Sequence, residues 1–174
     1  MRKSLTASIL LGCSLFAADY SGVVENPNAS KIIEKDLLAP AKEYAIPQGC
    51  ITNNPEAIAR GKFIFHNLNG SKAKKTPPKG LSKKNSDGSA KQYGNCVACH
   101  NIEGANGAGN VGPDLSNYRT NFIDSGARDN QFVYQKIADA RVDNPATHMT
   151  INLTTGLFTE REICDIASYI VSPK

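Results

Sequence analysis

Residues 94–115 read GNCVACHNIEGANGAGNVGPDL. Two thiols and an imidazole fall within five positions, so whatever Cys96, Cys99 and His100 hold must be gripped by one turn of chain. Three chemistries use a Cys-x-x-Cys pair. A structural zinc site needs four ligands, usually a second such pair or added histidines at fixed spacing, and no second pair exists. A thiol–disulfide redox site expects a strand before the pair and a helix after it. Here a lysine-rich stretch precedes and a glycine-rich stretch follows. The third pattern uses the histidine as well: Cys96-Val97-Ala98-Cys99-His100 is the signature of covalent haem attachment. Two thiols add to the two vinyl groups of one haem c, and the adjacent imidazole binds its iron.

The expected iron ligand on one side is His100. For the other side the chain offers Met149, which is the one methionine besides Met1, and two rivals. His148 lies next to it, and His66 ends the first clear helix. A thioether supports electron transfer and raises the reduction potential, whereas an open position would permit ligand binding or peroxidase chemistry. Met149 is the preferred ligand, and His66 reads as a surface residue. A ligating histidine also needs its second ring nitrogen hydrogen-bonded. Pro113, in a Gly-Pro turn, has a free carbonyl for this; the residues alone leave it equally an ordinary turn proline.

The chain has 174 residues and 40% hydrophobic content, which suits one domain with a modest core. Residues 1–17 have the order of an export signal: Arg2 and Lys3, then the apolar LTASILLGCSLF, then small residues at 17–18. LLGC at 10–13 also resembles a lipobox, which would make Cys13 a lipid anchor; cleavage after Ala17 is the favoured reading. Either places the protein outside the cytoplasm, in the periplasm. Nothing later is long and apolar enough to span a bilayer. Loss of Arg2 and Lys3 takes the formal charge from +4 to +2, too mild a balance for a nucleic-acid binder. With Cys13 removed or lipidated, Cys50 and Cys164 remain as an even pair in an oxidising compartment. A disulfide between them is expected; two separate thiols are the alternative.

Residues 18–53 read as an N-terminal extension, with weak helical character over SKIIEKDLLAPAKEYA. The segment 54–174 reads as the domain proper. Inside it, residues 69–93 form a basic insertion, in which seven lysines accompany a single acid, Asp87. This is either a docking surface for an acidic partner or a passive solvated loop. Helices are marked by their caps. Asn54, Pro55 and Glu56 start one that runs to about residue 67, with Ala57, Ile58, Gly61, Ile64 and Phe65 on its apolar face. Residues 129–141 form a second, with Phe132, Val133, Ile137 and Ala140 inward. Thr159 and Glu162 make a capping box for the last, whose Ile163, Ile166, Ala167 and Ile170 face the core. Gly61, costly in a helix interior, makes sense where another backbone comes close, and a crossing with Ile166 and Tyr169 is expected. Residues 101–128 read as loop. No strand is convincing, so the fold class is all-α.

Gly61-x-x-x-Phe65, the Cys96–His100 motif, Gly112-Pro113-x-Leu115, Met149 and the aromatic final helix together resemble a class I cytochrome c, a helical fold around one covalently bound haem. That resemblance implies that the Pro113 carbonyl bonds His100. More narrowly, GNCVACH, GPDLSNY, the VYQKIADAR stretch with NPATHM after it, and LTTGLFTEREICDIASYI are similar to the SoxX family, over roughly residues 50–172. SoxX is the mono-haem subunit of the SoxAX cytochrome of sulfur oxidation. Thr150-Ile151 stand here where that family often has Pro-Pro. The resemblance implies a partner like SoxA, which holds the reactive cysteine and its own haem, and a carrier protein like SoxY, to whose cysteine thiosulfate is oxidatively joined. It also implies a soluble cytochrome c downstream. This chain would then be an electron-transfer subunit that does no bond chemistry within an L-cysteine S-thiosulfotransferase of the SoxAX type. A free-standing electron shuttle is the alternative.

Overall fold

The computed structural model describes residues 39–174 apart from 71, 72 and 74. The expected leader at 1–17, Cys13 and the first part of the extension lie outside the described residues. Three α-helices form the frame: α1, Pro55–His66; α2, Asn130–Ala138; and α3, Glu160–Val171. Among the described residues there is no strand, only isolated bridges pairing Asn69 with Gln92 and Lys84 with Ala90.

Each helix begins where a side chain satisfies its first free N–H groups. The Asn54 side chain accepts from Glu56 N at 2.8 Å ahead of Pro55, and Asp129 accepts from Phe132 N at 2.7 Å. Thr159 and Glu162 cap α3 reciprocally, each side chain accepting from the other's backbone N–H. α2 stops three residues before the expected end at 141. Asp139 turns to extended backbone, with φ at −155°, and a short 3-10 turn, Ala140–Val142, follows.

α1 crosses α3, and α2 packs on α3 beside it. Gly61 makes the first crossing close: a Cβ built there would lie 1.9 Å from the Asp165 carbonyl oxygen and 2.9 Å from Tyr169 Cβ. The approach expected toward Ile166 therefore falls on the backbone one residue earlier. Phe65 meets Tyr169 edge-on at 5.6 Å between ring centres. Ile64, Phe65, Ile163, Ile166 and Ala167 are buried between the helices. Beside them is a buried ion pair, Arg60 to Asp165, with Nε and Nη2 donating at 2.7 and 2.8 Å. On α2, Tyr134 is buried and Phe132 only half-buried, its ring covered by the Arg128 guanidinium at 4.6 Å.

Residues 39–46 carry no helical turn. They run extended along α2, where two glutamines one turn apart read the backbone. Gln131 accepts from Ile46 N at 2.8 Å and donates to Tyr44 O at 2.8 Å. Gln135 accepts from Tyr44 N at 2.7 Å and donates to Lys42 O at 3.1 Å. The strap then reaches α3, where Cys50 and Cys164 form a disulfide, as expected, and Thr52 N donates to Ser168 Oγ at 3.1 Å. The basic insertion is tied down at its base. Lys91 pairs with Glu162 at 2.8 Å, and the buried Tyr93 donates its hydroxyl to Ser82 O at 2.6 Å. Lys75, Lys79, Lys83 and Lys84 stand exposed. Within the expected loop 101–128, Arg119–Ile123 forms a short π-helical turn, with the Tyr118 and Phe122 rings 4.8 Å apart.

Candidate functional site

Cys96–Ala98 is a single 3-10 turn, continued by Cys99 and His100. It is attached directly to the end of α1, where Gly94 N donates to Ile64 O at 3.1 Å and Asn95 N donates to Asn67 O at 2.8 Å. Those carbonyls have no partner within the helix, so the turn completes α1 while α1 fixes the turn. Asn95 enters it at φ +44°, a left-handed conformation that asparagine tolerates better than most residues. Gly94 is required by contact: a Cβ there would lie 2.7 Å from Cys96 Sγ.

The glycine-rich run wraps back over this turn. Gly109 N donates to Val97 O, Gly112 N to Cys99 O and Leu115 N to Asn101 O, each at 2.8 Å. The approach leaves no room for side chains. A Cβ on Gly109 would sit 1.9 Å from the Ala98 carbonyl oxygen, and one on Gly112 would sit 2.4 Å from His100 Cε1. Asp114 fastens the end of the wrap, accepting from Asn101 Nδ2 at 2.9 Å and Ser116 N at 2.8 Å. The Ser116 hydroxyl first, then these two donors, hold its carboxyl below the usual carboxylate range.

His100 Nδ1 lies 2.8 Å from the Pro113 carbonyl oxygen. That oxygen can only accept, so Nδ1 carries a proton and donates, and Nε2 is the nitrogen left to meet a metal. The contact that the residues alone left open is therefore present. An imidazole backed by a carbonyl in this way is oriented and made more basic as a metal ligand.

Cys96 is half-buried and Cys99 exposed. Burial pushes the Cys96 thiol up to about 12, opposite to the lowered value that a disulfide-exchanging cysteine needs. Among the described residues no three or more His, Cys, Asp or Glu side chains converge to hold a metal ion on their own. The donor set fits a porphyrin held by two thioethers. It offers two sulfurs on one turn, an imidazole with one nitrogen committed to protein and the other left over, and glycine where a side chain would crowd that imidazole.

The remaining candidates lie elsewhere in the chain. Met149 is half-buried in the loop between α2 and α3, with its N–H donated to Thr147 Oγ1 at 3.1 Å; His148 beside it is exposed. His66 is half-buried at the α1–α3 crossing, contrary to its reading as a surface residue. Its Nε2 lies 2.9 Å from the Tyr169 hydroxyl. Burial, with Lys62, Lys174 and Lys75 nearby, pushes its imidazole below its ordinary value, and its nitrogen is engaged with protein. Gly112 and Asp114 were visible in the sequence only as part of the turn around Pro113, and Gly109 was not singled out at all. Their signal was the density of glycine just after the motif, read only as loop.

A family model described as cytochrome c matches residues 59–174, more than half of the chain. None of the curated proteins matches it. The three helices, the absence of strands among the described residues and this match agree on an all-α, class I cytochrome c fold. No helix among the described residues is long and apolar enough to cross a membrane. The chain belongs to the cytochrome c family, haem electron-transfer proteins that carry haem c in covalent linkage.

Proposed function

We propose that this chain is a periplasmic cytochrome with a single haem c, serving as the electron-transfer subunit of a SoxAX-type complex. One Cys-x-x-Cys-His motif in the sequence supports one haem. Cys96 and Cys99 would form the thioethers, His100 and Met149 would bind the iron, and Pro113 would orient His100. Held by these residues, the haem would supply one-electron transfer with no bond made or broken to substrate.

The observation that carries the reading is the His100 Nδ1 to Pro113 bond at 2.8 Å. It commits one nitrogen and leaves the other to the metal. The chain's own residues supply rigidity: Gly94, Gly109 and Gly112 allow backbone to close on the turn, and α1 anchors its start. The Cys50–Cys164 disulfide supports an oxidising compartment. The SoxX-like stretches GPDLSNY, NPATHM and LTTGLFTEREICDIASYI support the narrower role and, with it, partners like SoxA, SoxY and a soluble cytochrome c.

The test is purification of the tagged chain from a sulfur-oxidising host that matures cytochromes. Recovery with a second, larger haem protein, in a complex that joins thiosulfate to a carrier cysteine, is the expected result. A monomer that alone passes electrons to an oxidase would favour a free-standing shuttle and contradict the subunit reading.

A further inference from the structure

The loop bearing Met149 leaves the end of α2 and returns to α3, and residues on both sides of Met149, Arg141 and Thr154, meet one carboxylate. Asp139 is fully buried. Its Oδ1 accepts from Arg141 N at 3.1 Å and Arg141 Nε at 2.9 Å. Its Oδ2 accepts from Arg141 Nη2 at 2.8 Å, Thr154 Oγ1 at 2.8 Å and Lys42 N at 3.4 Å. Thr154 Oγ1 also lies 3.0 Å from the Tyr44 hydroxyl. The Thr154 proton goes to the carboxylate, so Tyr44 is the donor in that contact.

Three segments distant in sequence are thus joined at one buried anion: the strap at 42–44, the loop before Met149 at 139–141 and the loop after it at 154. A second stitch lies beside it, where Asn152 Nδ2 donates to Ile137 O at 2.7 Å and Asn152 N to Ala138 O at 3.1 Å. Met149 is carried between these fixed points. A buried carboxylate is costly unless fully hydrogen-bonded; Asp139 caps the 3-10 turn Ala140–Val142 by accepting from Arg141 N, but that cap does not call for the bonds its Oδ2 accepts from Arg141 Nη2 and Thr154 Oγ1. Those further bonds are explained by what they hold.

We propose that Asp139 is a positioning residue for Met149: through Arg141 and Thr154 it fixes both ends of the intervening loop and so sets how readily the thioether is displaced from iron. This rests on the reading of Met149 as an iron ligand. A tethered ligand rebinds at high effective concentration, and freeing one end of its loop lowers that concentration. The strap, held by Gln131, Gln135 and the disulfide, supplies the backing through Lys42 and Tyr44.

The experiment uses the haem-loaded ferric protein and follows the methionine–iron charge-transfer absorption during titration with imidazole, an external ligand that competes for the methionine position. Asp139→Asn and Thr154→Val are expected to bind imidazole about tenfold tighter than the unsubstituted chain, the scale of one hydrogen bond to a charged group. Amide exchange over residues 143–153 is expected to quicken with them. Thr154→Val removes the loop-side tether, together with its contact to the Tyr44 hydroxyl, and keeps the Asp139–Arg141 pair, so it stands if Asp139→Asn does not fold. Asn54→Ala, which removes the cap of α1, is expected to lower the unfolding temperature while leaving imidazole affinity within about twofold. Unchanged affinity in Thr154→Val, with the absorption lost in Met149→Ala, overturns this proposal and leaves the ligand assignment standing. Persistence of the absorption in Met149→Ala overturns both.

Discussion

The carbonyl oxygen of Asp165 occupies the space in which a side chain on Gly61 would begin, 1.9 Å from where a Cβ would lie. The α1–α3 crossing is set by this contact between backbones. Gly61→Ala gains about 1 kcal/mol of helix propensity, but it drives α1 away from a backbone atom that cannot rotate aside. The expected net effect is a loss of about 2 kcal/mol, read as a lower denaturation midpoint with the slope unchanged.

Asp165 also holds Arg60 across the same crossing, and both side chains are buried. Removing one partner leaves an unpaired charge in the core. Arg60→Ala is expected to cost about 3–5 kcal/mol, and the paired replacement Arg60→Met with Asp165→Leu is expected to recover most of it. A double-mutant cycle by chemical unfolding measures the difference.

The helix ends were legible in the sequence because Asn54, Pro55, Thr159 and Glu162 are local signals read over three or four residues. Gly61 was legible as a close approach because glycine in a helix interior costs stability that something must offset. The Arg60–Asp165 pair was not legible. Charges at those positions look like the solvent face of an amphipathic helix until the partner helix is placed. Gln131 and Gln135 were hidden for the same reason, and with them the strap: AKEYA is good helix-forming sequence, but in the fold the backbone of residues 42–46 bonds to glutamine amides. At the site, the Cys96–His100 spacing carried its own chemistry. The glycine run did not, because its meaning depends on which atoms come to lie against Ala98 and His100.

His66 predicts a pH dependence. Its folded value is below its ordinary 6.5, so the unfolded chain binds a proton more readily than the native one. The stability associated with its neutral form is fully present above pH about 6.5 and is lost as pH falls from there through the lower folded value. The His66→Gln variant is expected to show a flatter stability profile across that window, measured by urea unfolding from pH 7.5 downward. An unchanged slope in the variant would contradict the assignment.

Cys50 and Cys164 close a loop of sequence separation 114. Cross-linking points so far apart constrains the unfolded chain strongly. Paired serine substitution is expected to cost about 4 kcal/mol, read as a drop in unfolding temperature, and reductant is expected to reproduce that drop in the unsubstituted protein and to leave the variant unaffected.

Electron transfer by this chain requires a porphyrin bonded to the two sulfurs of the Cys96–Cys99 turn. Intact-mass spectrometry under denaturing conditions, on protein purified from a host competent in cytochrome maturation, measures this directly. The predicted result is a polypeptide heavier by one haem, with the added mass lost when Cys96 and Cys99 are both replaced by alanine. A bare polypeptide mass from a host that loads other c-type cytochromes would contradict it.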